Sequence, residues 1–151
     1  MKVKSYRLGE VEIDERNIVF FNEGIPAFED SKRFVFIEME PEGPFYFMQS
    51  VDDGELCFIV AIPNVFFPTY QPEIEKEDLE KIGLEDENDL MVFAILTVPE
   101  DFKKTTANLM APVIVNLKKN KGLQVVPMKS RYTTRHYIFP QQESEQQVAS
   151  R

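Results

Sequence analysis

The chain of 151 residues contains no tryptophan, one cysteine and one histidine, and these scarcities remove most chemistry from consideration. A zinc site draws on several Cys and His ligands, and only Cys57 and His136 are available. A single cysteine forms no internal disulfide. Cys57 lies in the apolar run Leu56-Cys57-Phe58-Ile59-Val60, where a thiol behaves as a small hydrophobe and is expected to be buried and inert. A hydrolytic triad needs a base beside a nucleophile. His136 sits in Tyr132-Thr133-Thr134-Arg135-His136 without a local Ser or Cys motif, and reads as a structural or surface imidazole. Phosphate-cradling glycine loops are missing, and the acids at Glu85–Asp89 lack calcium-loop spacing. No catalytic residue, metal ligand or cofactor-binding residue is therefore assigned, and neither an enzyme activity nor a small-molecule substrate is expected. Long apolar runs are missing too, so no membrane span is expected. Met1-Lys2-Val3-Lys4-Ser5 leads into alternating residues rather than an apolar signal core, and a cytoplasmic protein is the simplest reading.

What the chain does have is phenylalanine, 13 copies of it, within an ordinary globular balance of 43% hydrophobic and 28% charged residues. The length fits one domain, placed at residues 1–140. Residues 141–151 are polar, lack aromatics and read as a frayed tail. Most of the domain reads as strand. Tyr6 and Leu8 share a face before Gly9 turns the chain into Val11-Glu12-Ile13, and Asn17–Phe21 is a short apolar strand. Arg33–Ile37 and Phe45–Met48 are apolar on both faces, which suits a barrel or sandwich interior. Asp52-Asp53-Gly54-Glu55 separates Phe45–Val51 from Leu56–Ile62 and predicts an antiparallel hairpin, with Gly54 supplying positive φ. Pro63 and Pro68 take the next stretch out of the sheet. Leu90–Val98 is the strongest apolar run and reads as a central strand. Asn108–Val115 and Leu123–Val126 form a further hairpin, with Pro112 marking an edge or bulge. The expected fold is all-β, a small antiparallel barrel or sandwich with one or two short helices.

The best helix candidate lies between Pro72 and Ile82. Pro72 suits its first turn, Gly83 its exit, and Glu77 and Lys81 form a favourable i,i+4 pair. Glu73 and Glu75 complement the positive end of its dipole. The acids continue past it as an exposed loop, Glu85-Asp86-Glu87-Asn88-Asp89. Residues 73–89 hold nine acids against two bases, a local charge of −7, whereas residues 102–136 hold eight bases and no acid. Such a molecule can be electrically polar, with two faces for different partners, although charge runs also serve simply as solvated surface.

Just before the acidic run comes Asn64-Val65-Phe66-Phe67-Pro68-Thr69-Tyr70. Aromatic anchors beside a charged rim fit a protein–protein patch, while Phe66 and Phe67 equally suit the plug at one end of a barrel. Partner-binding candidates are Phe66, Phe67, Tyr70, Glu73, Glu85, Asp86 and Glu87. An alternative is an RNA-associated module using the basic segment 102–136, where lysines and Arg131 accompany Tyr132; the overall net charge of −9 opposes it.

Five strings occur in order along the chain: Gly24-Ile25-Pro26-Ala27-Phe28-Glu29-Asp30, Phe45–Asp53, Phe66-Phe67-Pro68, Thr97-Val98-Pro99-Glu100-Asp101, and Asn108–Asn116. In this combination the chain resembles the bacterial flagellar assembly factor family (FliW), from Gly9-Glu10-Val11 to Arg135-His136. The resemblance implies a bacterial cytoplasmic, barrel-like protein with two protein partners; the acidic balance separately leaves no direct nucleic-acid partner expected. One protein partner is flagellin before export. The other is the RNA-binding translational repressor CsrA, a homodimer that the family antagonises, so that flagellin synthesis resumes once flagellin has been secreted. The acidic residues 73–89 would then oppose RNA electrostatically when delivered near the repressor's positive surface.

Overall fold

The computed structural model describes residues 1–141; most of the expected polar tail lies outside the described residues. Among the described residues eleven strands form: β1 (Lys2–Ser5), β2 (Gly9–Glu12), β3 (Val19–Phe20), β4 (Arg33–Glu38), β5 (Phe45–Ser50), β6 (Cys57–Ala61), β7 (Leu90–Thr97), β8 (Thr106–Ala107), β9 (Val113–Asn116), β10 (Lys121–Gln124) and β11 (His136–Tyr137). The single α-helix among the described residues, α1, spans Lys76–Lys81.

The order β7-β6-β5-β4-β3-β10-β9 closes on itself because β9 also pairs with β7. The result is a seven-stranded barrel. Closure leaves the strands of the wall no free edge. Its pairings are antiparallel except that of β3 with β10, which is parallel and brief, joining Phe20 to Lys121. The barrel expectation therefore holds, with one parallel junction that the alternation did not reveal.

Strand alternation sends Phe34, Phe36, Tyr46, Met48, Phe58, Val60, Phe93, Val113 and Val115 into one interior cluster. The phenylalanine excess goes here: Phe36 stacks on Phe93 at 4.7 Å, and Phe21 meets Phe34 edge-on at 5.4 Å. A Cβ on Gly122 of β10 would lie 2.4 Å from the Phe21 ring, so the missing side chain is what lets that ring fill the barrel. The opposite alternation set faces outward and is covered in part by a second layer. The β1–β2 hairpin lies over β5, where the Ser5 hydroxyl donates to Gln49 Oε1 at 2.6 Å. Gln49 is fully buried, and its amide nitrogen donates to the carbonyls of Ser50 and Leu56, closing the β5–β6 turn.

Several local expectations change. Tyr6 and Leu8 belong to the β1–β2 turn rather than to a strand. The β5–β6 hairpin forms as expected, but Gly54 does not adopt positive φ. Its role is close approach: a Cβ there would lie 2.6 Å from the Lys4 carbonyl, and its own carbonyl accepts from Tyr6 N–H at 2.9 Å. The first hairpin docks on that carbonyl. Pro112 marks neither an edge nor a bulge within a strand; it precedes β9, which is paired on both sides. Asn17 belongs to a 3-10 turn, which leaves β3 only Val19 and Phe20. In the Gly24–Asp30 loop, Phe28 N–H donates to the Ile25 carbonyl at 2.7 Å, with Pro26 and Ala27 between them and Ala27 at φ 75°. This is the type II turn arrangement, in which Pro pre-sets the first central residue.

The helix is shorter than expected. It begins at Lys76, after Glu75 rather than near Pro72, because the Glu75 N–H donates to the Asp78 carboxylate at 3.1 Å and defines the start one turn later. Glu77 and Asp78, not Glu73, occupy the first turn. Gly83 has φ +66°, the left-handed exit expected of it. Lys81 pairs with Glu23 at 3.2 Å instead of with Glu77.

Candidate partner-binding surface

Residues 63–89 form the outer covering on one side of the barrel. After β6 a 3-10 turn at Pro63–Val65 lifts the chain off the sheet, as its prolines require. The following aromatics then pack back onto the outer face. Phe66 contacts Phe45 at 5.5 Å and Phe139 at 6.2 Å between ring centres, and Phe67 meets His136 at 6.0 Å. Both are half-buried members of a second apolar cluster around Ala61, Ala94, Leu96 and Leu109. Tyr70 is 4% exposed, and its hydroxyl donates to the Leu109 carbonyl at 2.7 Å. Burial holds its phenol well above the usual tyrosine range.

Tyr70 thus offers a partner almost no surface, and the aromatic half of the expected patch is largely a clamp within the fold. Tyr132 covers it, ring centre 4.8 Å from that of Tyr70, and the Tyr132 oxygen accepts from Gln71 N–H at 3.0 Å. That backbone hydrogen bond, with smaller contributions from Arg131, lowers the Tyr132 pKa. The Arg131 guanidinium lies over the Tyr132 ring at 5.3 Å.

The acidic half is different. Glu73, Glu75, Glu77 and Asp78 line one wall of an open groove of about 940 Å³. The facing wall is residues 126–131, with Val126 63% exposed and Met128 fully so. No carboxylate of this wall is in an ion pair among the described residues.

The second acidic stretch is largely spent on local structure. Asp86 accepts from Asn88 N–H at 2.9 Å and caps a 3-10 turn at Glu87–Asp89. Glu85 binds Lys119 at 3.0 Å, which lowers its carboxyl pKa. Glu87 is exposed. The Asp89 backbone carbonyl accepts from Leu117 N–H at 2.8 Å, tying this turn to the β9–β10 tip. The stretch is exposed from Glu85 to Asn88, as expected, but ends in a 3-10 turn rather than an irregular loop.

Lys119 shows why two segregated electrical faces do not form: the basic β9–β10 tip folds against the acidic turn. The rest of the 102–136 segment is also dispersed. Lys103 and Lys104 sit in a turn after β7, whereas Lys129 and Arg131 face the acidic groove wall. A continuous basic track of the kind RNA requires is not assembled from these positions.

Sequence reasoning missed Val126 and Met128 as surface residues, and placed Tyr132 with the basic segment rather than over Tyr70. The detectable signal was Met128 between Pro127 and Lys129, an apolar residue in a stretch without strand alternation. Cys57 is half-buried rather than buried; desolvation raises its pKa, which keeps the thiol protonated. It lines a shallow cleft with Tyr6, Arg7, Gly54 and Glu55. His136 packs instead on Phe67 and Tyr132, and its Nε2 accepts from Thr133 N–H at 2.8 Å. The two residues occupy separate environments. No helix among the described residues is long and apolar enough to cross a membrane.

A family model described as FliW protein matches residues 2–138. The chain belongs to the FliW family. A flagellar assembly factor FliW of Syntrophomonas wolfei is 47% identical over 148 residues, covering 98% of this chain and 95% of that protein. The corresponding protein of Caldicellulosiruptor bescii is 42% identical over 145 residues, covering 96% and 95%. A crystal structure of the flagellar assembly factor FliW superposes with a TM-score of 0.87 at 38% identity, covering 93% of this chain and 99% of that one. The family's β-barrel is thus the fold described above.

Proposed function

We propose that this chain is a flagellar assembly factor that binds flagellin in the cytoplasm and, when not so occupied, binds and antagonises the translational repressor CsrA, without catalysis. Family membership supports the setting. The observation that supports the antagonism is the groove wall of Glu73, Glu75, Glu77 and Asp78, in no ion pair among the described residues and beside exposed Val126 and Met128. An RNA-binding protein presents positive charge to phosphate. A wall of carboxylates matches that charge, steers encounter, and repels RNA from its neighbourhood. Met128 and Val126 provide apolar contact that charge alone does not.

The sequence expectation placed this role partly on Glu85, Asp86 and Glu87. Lys119 and the turn at Asn88 engage the first two, so the 73–78 wall is the stronger candidate. The test compares two charge reversals, Glu73→Lys with Glu77→Lys, and Glu85→Lys with Asp86→Lys and Glu87→Lys. CsrA affinity for flagellin leader RNA is titrated with each variant present. The first pair is expected to abolish most antagonism and the second set to weaken it. Full antagonism by both variants would remove the acidic segment from the mechanism. Flagellin binding is measured in parallel by calorimetry, and a gel shift with RNA and this protein alone is expected to show no complex.

A further inference from the structure

The outward alternation set of β4, β5 and β6 is only partly covered. The first hairpin covers Gln49, its cross-strand neighbour Val35 is buried, and the 63–70 covering buries Ala61. Between them, Ile37, Phe47 and Ile59 lie side by side in register across the three strands, each only partly buried. Beside this row, Met39, Phe45, Ile59, Val98, Phe102 and Phe139 line a groove of about 300 Å³ with no charged residue in its lining. Three of these side chains are well exposed, Met39 at 36%, Val98 at 45% and Phe102 at 61%.

The residues that flank the lining in the chain are charged. Glu38, Glu40, Glu42, Glu100 and Asp101 stand against Lys103 and Lys104, and none of the five acids is in an ion pair among the described residues. A second copy of this chain would bring the same acid excess to the rim and a net charge of −9 to meet −9. An extended peptide finds no ladder on β4, β5 or β6, which are paired on both edges, and the free edge of β11 beside Ile138 is only two residues long. Recognition here has to be through side chains, as when an amphipathic helix lies in an apolar groove.

We propose that this groove docks an amphipathic helix of a partner polypeptide, apolar on one face and flanked by Lys or Arg. The surface shares no residue with the acidic groove, so its test is independent of the proposed antagonism.

The probe is a labelled synthetic helical peptide of about 18 residues, with Leu at i, i+3, i+4 and i+7 and Lys at its flanks. Two controls are a peptide of the same composition with Leu spread around the helix and a Glu-flanked version. Fluorescence anisotropy is read with the full chain and with Phe102→Asp and Val98→Asp, whose folding is checked by circular dichroism. The Lys-flanked peptide is expected to bind, with amide shifts at Met39, Phe45 and Val98. Spreading the leucines or introducing Phe102→Asp is expected to weaken it about tenfold, as loss of a central anchor does. The Glu-flanked peptide is expected to bind more weakly, the gap narrowing with salt. Equal binding of the spread peptide, no effect of Phe102→Asp, or shifts confined to Glu73–Asp78 would overturn the proposal. So would a dimer in sedimentation that Phe102→Asp dissolves, which would give the groove to a second copy.

Discussion

The aromatic stretch at 66–70 and the acidic wall at 73–78 are almost adjacent in the chain, yet they serve opposite ends. Phe66, Phe67 and Tyr70 turn inward and hold the covering layer to the barrel. Glu73, Glu75 and Glu77 remain in solvent along a groove, with Asp78 half-buried beside them. A phenylalanine finds apolar surface to bury if any lies within reach, whereas an unpaired carboxylate is costly to bury anywhere. Charge therefore reports exposure more faithfully than aromaticity reports a binding surface.

Replacing residues on the two sides of this divide should separate stability from binding. Tyr70→Ala removes a buried ring and is expected to cost about 3–5 kcal/mol in urea unfolding. A loss too small to shift the midpoint would put Tyr70 back on the surface. Tyr70→Phe keeps the ring but leaves the Leu109 carbonyl without its donor, for about 1–2 kcal/mol.

The same substitution carries a pH signature. The Tyr70 pKa is raised in the fold, so the unfolded chain loses its proton first. Stability is then fully present below the ordinary tyrosine value, about 10, and declines as pH rises above it toward the folded-state value. Unfolding at pH 9 and at pH 11 should show this decline in the native chain, and a shallower one in Tyr70→Phe. An unchanged slope would mean that the phenol is not desolvated.

On the acidic side, Glu73→Lys with Glu77→Lys is expected to change stability by no more than about 1 kcal/mol, since only Glu77 complements the helix dipole. Its effect should be on CsrA antagonism instead. The smallest effect is expected from Lys119→Ala. It leaves the unfolding midpoint nearly unmoved, because its partner Glu85 is fully exposed. It should nevertheless raise the Glu85 carboxyl toward its ordinary value in an NMR titration, a direct reading of how far the basic tip neutralises that turn.

Much of the barrel was legible. The β5–β6 hairpin, the prolines that end β6, the long β7 and the glycine exit of α1 all carry local signals, set by alternation and turn chemistry. The helix start was misplaced because Pro72 competes with a capping pair, Glu75 and Asp78, that is equally local but less conspicuous. Gly54 was assigned to the right turn for the wrong reason, because a close approach by a distant hairpin leaves no trace in the neighbouring residues. The acidic wall was visible as composition; its opposite wall, Val126 to Arg131, was not, since about fifty residues separate the two in the chain.

Taken alone, the order of residues determined that this is an acidic β protein short of catalytic side chains, because composition, alternation and turn preference act over a few neighbours. Only the tertiary structure decided that the sheet closes through a β7–β9 seam, that the basic tip folds onto the acidic turn, and that Phe102 stays outside while Tyr70 goes in. Those outcomes depend on which distant surfaces compete for the same apolar cover, and that competition exists only once the chain has folded.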